Sequence, residues 1–174
     1  DPDVLEKGYT ACREIARRDE ERKLFAYDPK GVAVRDLKVA AKGTYRVHRA
    51  GLRKGALWST DRKYTFTVVP PELANSTYIE TVMNHRSVAD NPDFMTFQVA
   101  ETVDVFVGFD NRCSKLPAWL KDWEKTKMVL RTTTNSCHRV AYRKSFPAGR
   151  AAVGSCRAPG VQAMYTVAVR TASK

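Results

Sequence analysis

Between Thr102 and Trp119 the chain reads TVDVFVGFDNRCSKLPAW. Val103, Val105, Val107 and Phe109 fall on one side, and Thr102, Asp104, Phe106, Gly108 and Asp110 on the other. A period of two marks a strand in an antiparallel sheet. The alternation stops at Asp110, and a loop follows that gathers Asp110, Asn111, Arg112, Cys113 and Trp119. A rigid strand feeding a loop dense in polar and aromatic residues is a common foundation for a binding surface.

The same period recurs on both sides of this stretch. Upstream, 32–40 (VAVRDLKVA), 44–50 (TYRVHRA), 64–69 (YTFTVV), 76–83 (STYIETVM) and 94–99 (FMTFQV) read as short strands. Pro70 and Pro71 stop the third of these, since neither can donate a ladder hydrogen bond. Residues 94–99 and 102–110 are split by Ala100-Glu101 and read as a hairpin or a corner. Downstream, 129–134 (VLRTTT), 137–146 (CHRVAYRKSF), 150–156 (RAAVGSC) and 163–170 (AMYTVAVR) continue the series, and Pro117 suits the first turn of a short helical excursion. Strands punctuated by turns about every ten residues indicate an all-β fold, an antiparallel, jelly-roll-like sandwich. Residues 1–30 differ. Leu5, Tyr9, Cys12 and Ile15 recur at helical spacing, ahead of a turn at Asp28-Pro29-Lys30-Gly31. The expected organisation is a helical extension or linker over 1–30 and one β-sandwich domain over 31–174.

A chain of 174 residues, 43% of them hydrophobic, has material for a real core. It has no run of 18 apolar residues, the minimum for a membrane-crossing helix. Thirty Lys and Arg against 19 Asp and Glu give a formal charge of +11, a balance that attracts polyanions. The basic residues are dispersed rather than gathered in a nucleic-acid-binding tail. The cysteines Cys12, Cys113, Cys137 and Cys156 lack CxxC spacing, which argues against zinc. An even number suits disulfides in a secreted protein. Cys137 and Cys156 flank the turn at Pro147, so a Cys137–Cys156 bridge is expected, with Cys12–Cys113 as the second; four cysteines allow three connectivities and the sequence does not choose. Asn75-Ser76-Thr77 is a glycosylation sequon beside the Pro-Pro turn, and Asn75 is expected to be exposed.

Seven pieces, in order, resemble a β-sandwich domain found attached to bacterial secreted polysaccharide-degrading enzymes and surface proteins. They are Asp61-Arg62 with Tyr64–Thr67, Pro71 with Leu73, Tyr78-Ile79 with Thr81, Val103–Arg112, Leu116–Leu120, Tyr142–Gly149 and Ala163–Val169, spanning about 34–170. The resemblance implies an extracellular, non-catalytic accessory module that binds carbohydrate, and it carries no catalytic residues over. The chain departs from the family pattern in its cysteines, in its basic surface and in Gly154-Ser155-Cys156-Arg157, which points to an acidic partner.

Asp110 and Arg112 are candidates for ligand contact, since a carboxylate accepts sugar hydroxyls and a guanidinium offers a planar fork. The competing reading is an ion pair that fixes the loop, and Asp61-Arg62 poses the same choice. Trp58, Trp119 and Trp123 could offer ring faces to a sugar; Trp123, set among charged residues, is expected to be the most open, and Trp119 reads equally as a plug beneath the loop. Lys115 and Lys121 add charge. His48, His85 and His138 lack metal-ligand spacing, and no cofactor is expected. Asp90-Asn91-Pro92-Asp93 offers oxygen ligands for calcium but falls short of a full set. The function expected is non-catalytic extracellular binding of acidic polysaccharide or glycan. The alternative is a structural module of an extracellular assembly that docks neighbouring subunits or domains. An enzyme would need paired carboxylates or a metal, and the sequence shows neither.

Overall fold

The computed structural model describes residues 31–133 and 138–173. The expected helix over 1–30, and with it Cys12, lies outside the described residues, as does Cys137. Ten strands form in the order the periodicity predicts: β1 (Val34–Val39), β2 (Arg46–His48), β3 (Phe66–Val68), β4 (Thr77–Glu80), β5 (Met95–Val99), β6 (Val103–Asp110), β7 (Glu124–Thr132), β8 (His138–Phe146), β9 (Gly149–Val153) and β10 (Thr166–Thr171). Short 3₁₀ turns over Pro71–Leu73, Met83–Ser87 and Ala118–Leu120 are the only helical pieces among the described residues.

The strands divide into a three-stranded sheet ordered β1-β5-β9 and a seven-stranded sheet ordered β2-β4-β10-β6-β8-β7-β3, with every strand pair antiparallel. Consecutive strands β5 and β6 lie in different sheets, so Ala100-Glu101 is a corner and not a hairpin tip. The same holds for β8 and β9. Val103, Val105, Val107 and Phe109 from β6 enter one hydrophobic core with Ile79, Val167 and Val169 of the large sheet and Met95, Phe97, Val99 and Val153 of the small one. This is the two-layer burial that defines a sandwich.

The opposite face of β6 is interior as well, since all eight residues of the strand are buried. Two things cover it. The segment 49–76 folds back so that Leu52, Phe66 and Leu73 line a crevice with Phe106, Gly108 and Leu130, leaving no room for a water molecule. Beyond that cover, Asp104 is sheltered by Ser145, which donates to its Oδ1, and by Arg143 at 3.8 Å. An alternating pattern reports which residues share a face, whereas the burial of each face depends on distant segments. β7 begins at Glu124, five residues before the sequence-based strand, because Glu124↔Arg143 and Lys125↔Tyr142 extend its pairing with β8 past an irregularity.

Phe109→Ala should lower unfolding stability by roughly 3–5 kcal/mol in denaturant titration, as large-to-small core substitutions do. Arg35→Ala on exposed β1 should stay within about 0.5 kcal/mol.

Candidate functional site

Strand β6 delivers Asp110 to the end of the sandwich with its side chain 0% exposed. A buried carboxylate must be neutralised and hydrogen-bonded. Asp110 Oδ1 accepts from the Arg112 amide at 3.0 Å and Arg112 Nε at 2.9 Å. Oδ2 accepts from Arg112 Nη2 at 2.8 Å and from the amides of Gln162 and Ala163 at 2.9 and 3.1 Å. The second cluster of bonds reaches the segment leading into β10. Asp110 thus joins two distant stretches of chain and has the interior position of a structural acid. Arg112 is held in a bidentate fork, while its Nη1 turns outward to Gln162 Oε1 at 3.1 Å. Asn111 completes the loop through paired bonds with His138.

Asp61 repeats this logic near the surface. It accepts from Ser59 Oγ at 2.7 Å and from the amides of Met83 and Asn84 at 2.7 and 3.1 Å, and Arg62 lies 3.4 Å away and spans to Asn84. Burial pushes the carboxyl up, but the hydrogen bonds from Ser59, Met83 and Asn84, aided by the charge of Arg62, outweigh it and hold it below the usual carboxylate range. The two acids are joined through Met83, whose Sδ receives the Met164 amide beside Ala163. Both Asp-Arg pairs therefore fix loops, and the faces left for a ligand are those of the arginines.

Two of the three indoles, Trp58 and Trp123, are placed differently from the reading as open ring faces, while Trp119 is the plug beneath the loop. Trp58 is 1% exposed, stacked on Tyr64 and covered by the Arg139 guanidinium 4.3 Å from its ring. Trp123 is 6% exposed and packs edge-on against Trp119 and Phe146. Its charged neighbours in sequence face outward while the ring turns inward, so local composition misled. Trp119 is half-buried, donates its indole N–H to Ser155 O at 2.9 Å and lies flat against Gly154. A Cβ on Gly154 would stand 2.2 Å from that ring, which explains a glycine here.

Most of what lies open around this aromatic cluster is cationic, although Asp122 is exposed beside Trp123. Lys115, Lys121, Lys125, Lys127 and Lys144 are exposed, and none is ion-paired among the described residues. Lys144 sits 5.8 Å from the Phe146 ring, on the face of β8 that carries Tyr142. Of the local acids, Glu124 is bound by Arg143 at 2.5 Å. Lys125, Lys127, Lys144 and Gln162 were not among the sequence candidates, because the stretch before Val129 reads as an excursion and its pairing with β8 runs through an irregularity between Lys125 and Val129. A second polar group also went unnoticed: Glu80, 2% exposed, bonded to His48 Nε2 at 2.8 Å, with Arg46 at 3.5 Å.

Cys113 and Cys156 are unbridged. The Cys137–Cys156 expectation required neighbouring strands, but β8 and β9 lie in separate sheets and Cys156 falls beyond the end of β9. Cys156 is fully buried with its thiol directed at Ala163 O, and burial pushes it up to about 12. Cys113 directs its thiol to Lys115 O instead of to a bridge, and burial raises it as well. Asn75 is exposed as expected, at φ +60, while Thr77 of the sequon is buried and donates to Val32 O. Asp93, considered for calcium, pairs with Arg150 at 2.9 Å, and no group of three or more candidate metal ligands occurs among the described residues. His85 is structural, linking Tyr45 and the Lys42 carbonyl.

Asp61 is depressed in the folded state, so its contribution is present above the unfolded carboxylate value near 4 and is lost as pH falls through the folded value. Asp61→Asn should flatten the acid limb of a stability-against-pH curve below about pH 4. Cys156, kept as a thiol, should resist a thiol reagent at pH 8 in the native protein and react only on unfolding.

No family model matches the sequence, and no curated protein does. The fold is similar to parts of two solved structures. One is a β-glucuronidase from glycoside hydrolase family 2, with a TM-score of 0.69 and 20% identity over 79% of this chain and 14% of that one. The other is a GH138 enzyme described as targeting pectin rhamnogalacturonan II, with a TM-score of 0.54 and 15% identity over 83% of this chain and 17% of that one. The chain therefore spans less than a fifth of either protein's length, and the likeness is one of fold: a β-sandwich of the kind carried by glycoside hydrolases.

Proposed function

We propose that this domain is a non-catalytic module that binds acidic polysaccharide or glycan outside the cell. The observation that carries the reading is a set of exposed lysines that form no ion pair among the described residues: Lys115 in the Arg112 loop, Lys121 beyond it, Lys125 and Lys127 on β7 and Lys144 on β8. Arg112 adds a guanidinium already oriented by Asp110, so little side-chain entropy is lost when it meets a carboxylate or sulfate. Arg62, tethered to Asn84, offers a second such group. With Trp58 and Trp123 in the interior, recognition rests on charge and hydrogen bonding, and Trp119 acts chiefly as the support under the loop. The fold's occurrence within glycoside hydrolases agrees with a carbohydrate ligand. The alternative of a docking module draws support from Leu57 and Val68, 43% and 44% exposed at the outer edge near β3, which would suit a neighbouring domain.

Titration calorimetry with polygalacturonate and with an uncharged glucan, at low and physiological salt, tests the reading. Selective binding of the acidic polymer should survive at physiological salt and weaken at least tenfold in Lys121→Glu/Lys125→Glu, with an unchanged melting temperature. Binding confined to low salt and indifferent to polymer type would overturn it, and absence of binding would favour the docking module.

A further inference from the structure

Among the described residues three tyrosines are buried: Tyr78, Tyr142 and Tyr165. The hydroxyls of Tyr78 and Tyr165 each donate to a main-chain carbonyl, those of Leu57 and Gly154. The Tyr142 hydroxyl has no such partner among the described residues, although the residue is only 8% exposed. Its oxygen is not one of the sealed side-chain atoms, so the ring is packed while the hydroxyl tip opens to solvent. In direct register with Tyr142 stand Val107 on one side and Lys125 on the other, and directly opposed residues share a face. Their Cβ atoms lie about 5 Å apart, well within the span of a lysine side chain. Lys144 is the next residue of β8 on that face, about 7 Å along the strand. Both lysines are exposed and form no ion pair among the described residues, whereas Glu124 is bound by Arg143 on the other face. The Cys113 thiol, which donates to Lys115 O, also acts on the tyrosine. Burial first, and then charge on Cys113, raises the Tyr142 hydroxyl above its ordinary value, so it remains an O–H donor at neutral pH.

A lysine only donates and meets any anion, whereas a tyrosine hydroxyl donates and accepts. A neutral glycan would leave the two ammonium groups idle. A bare polyanion would leave the hydroxyl without a matching hydroxyl. A uronate residue presents a carboxylate and ring hydroxyls together. We propose that Tyr142 is the specificity-determining residue of the lysine surface, its hydroxyl hydrogen-bonding a ring hydroxyl of a uronate whose carboxylate is held by Lys125 and Lys144. Because the ring is already packed, little side-chain freedom is lost when the bond forms. This role rests on the acidic-polysaccharide reading above and gives that surface its means of telling an acidic sugar from charge alone.

Titration calorimetry of the full chain with polygalacturonate and with polyglutamate, which carries carboxylates but no sugar hydroxyls, separates the two contributions. Tyr142→Phe removes one oxygen that no described residue binds and should leave the melting temperature unchanged. It should weaken polygalacturonate binding about three- to tenfold, the range one hydrogen bond supplies, and leave polyglutamate binding unaltered. Lys144→Gln should weaken both polymers. Unchanged polygalacturonate binding in Tyr142→Phe, or an equal loss for both polymers, would overturn the role of Tyr142 and leave the acidic-polysaccharide reading standing. Failure of the unsubstituted chain to bind polygalacturonate would overturn both.

Discussion

A carboxylate taken out of water has to be matched on every side, and Asp110 shows what that requirement does to a fold. Its partners come from the loop immediately following and from a segment some fifty residues further on, at Gln162 and Ala163. Because those two amides precede β10, satisfying the acid also sets where the most central pairing of the large sheet begins. Arg112 is drawn into the same geometry and becomes the fixed rim of the loop. The end of the sandwich is thus shaped by electrostatic necessity before any ligand is considered. Asp61 extends the arrangement, since its hold on the Met83 amide places the sulfur that receives Met164.

The division of labour between rings and charges follows. Trp119, Trp123, Phe146 and Phe109 pack edge-to-face under the loop, where offset geometry favours aromatic pairs. Lysines in the same stretch extend outward because their ammonium groups stay hydrated. The result is an apolar support bearing a cationic fringe.

Much of the architecture was legible in the chain. Strand existence was plain from period-two runs such as Val103 to Phe109, and Pro70-Pro71 marked a strand end correctly. Sheet membership was not, because nothing local to Ala100-Glu101 or Pro147 says whether the chain turns back or crosses to the other layer. The same gap undid the cysteine pairing, which assumed that neighbours in sequence were neighbours in a sheet. In the site, the Asp-x-Arg spacing correctly brought Asp110 and Arg112 together, but the pattern could not tell a bound ligand from Gln162 as the outward partner. Trp123 was misplaced for a related reason: a residue at a strand entrance turns in or out according to the layer above it, and that layer comes from Phe146 and Trp119.

Strand β10 lies between β4 and β6 in the interior of the large sheet, yet it is the last of the described strands to leave the ribosome. Until it emerges, β4 and β6 each present an open hydrogen-bonding edge, and the apolar faces of Ile79, Val105 and Val107 lack a neighbour. Synthesis therefore cannot deposit this fold progressively from the amino end. The large sheet is completed only when this interior strand is inserted. The burden on cellular folding assistance falls before that step.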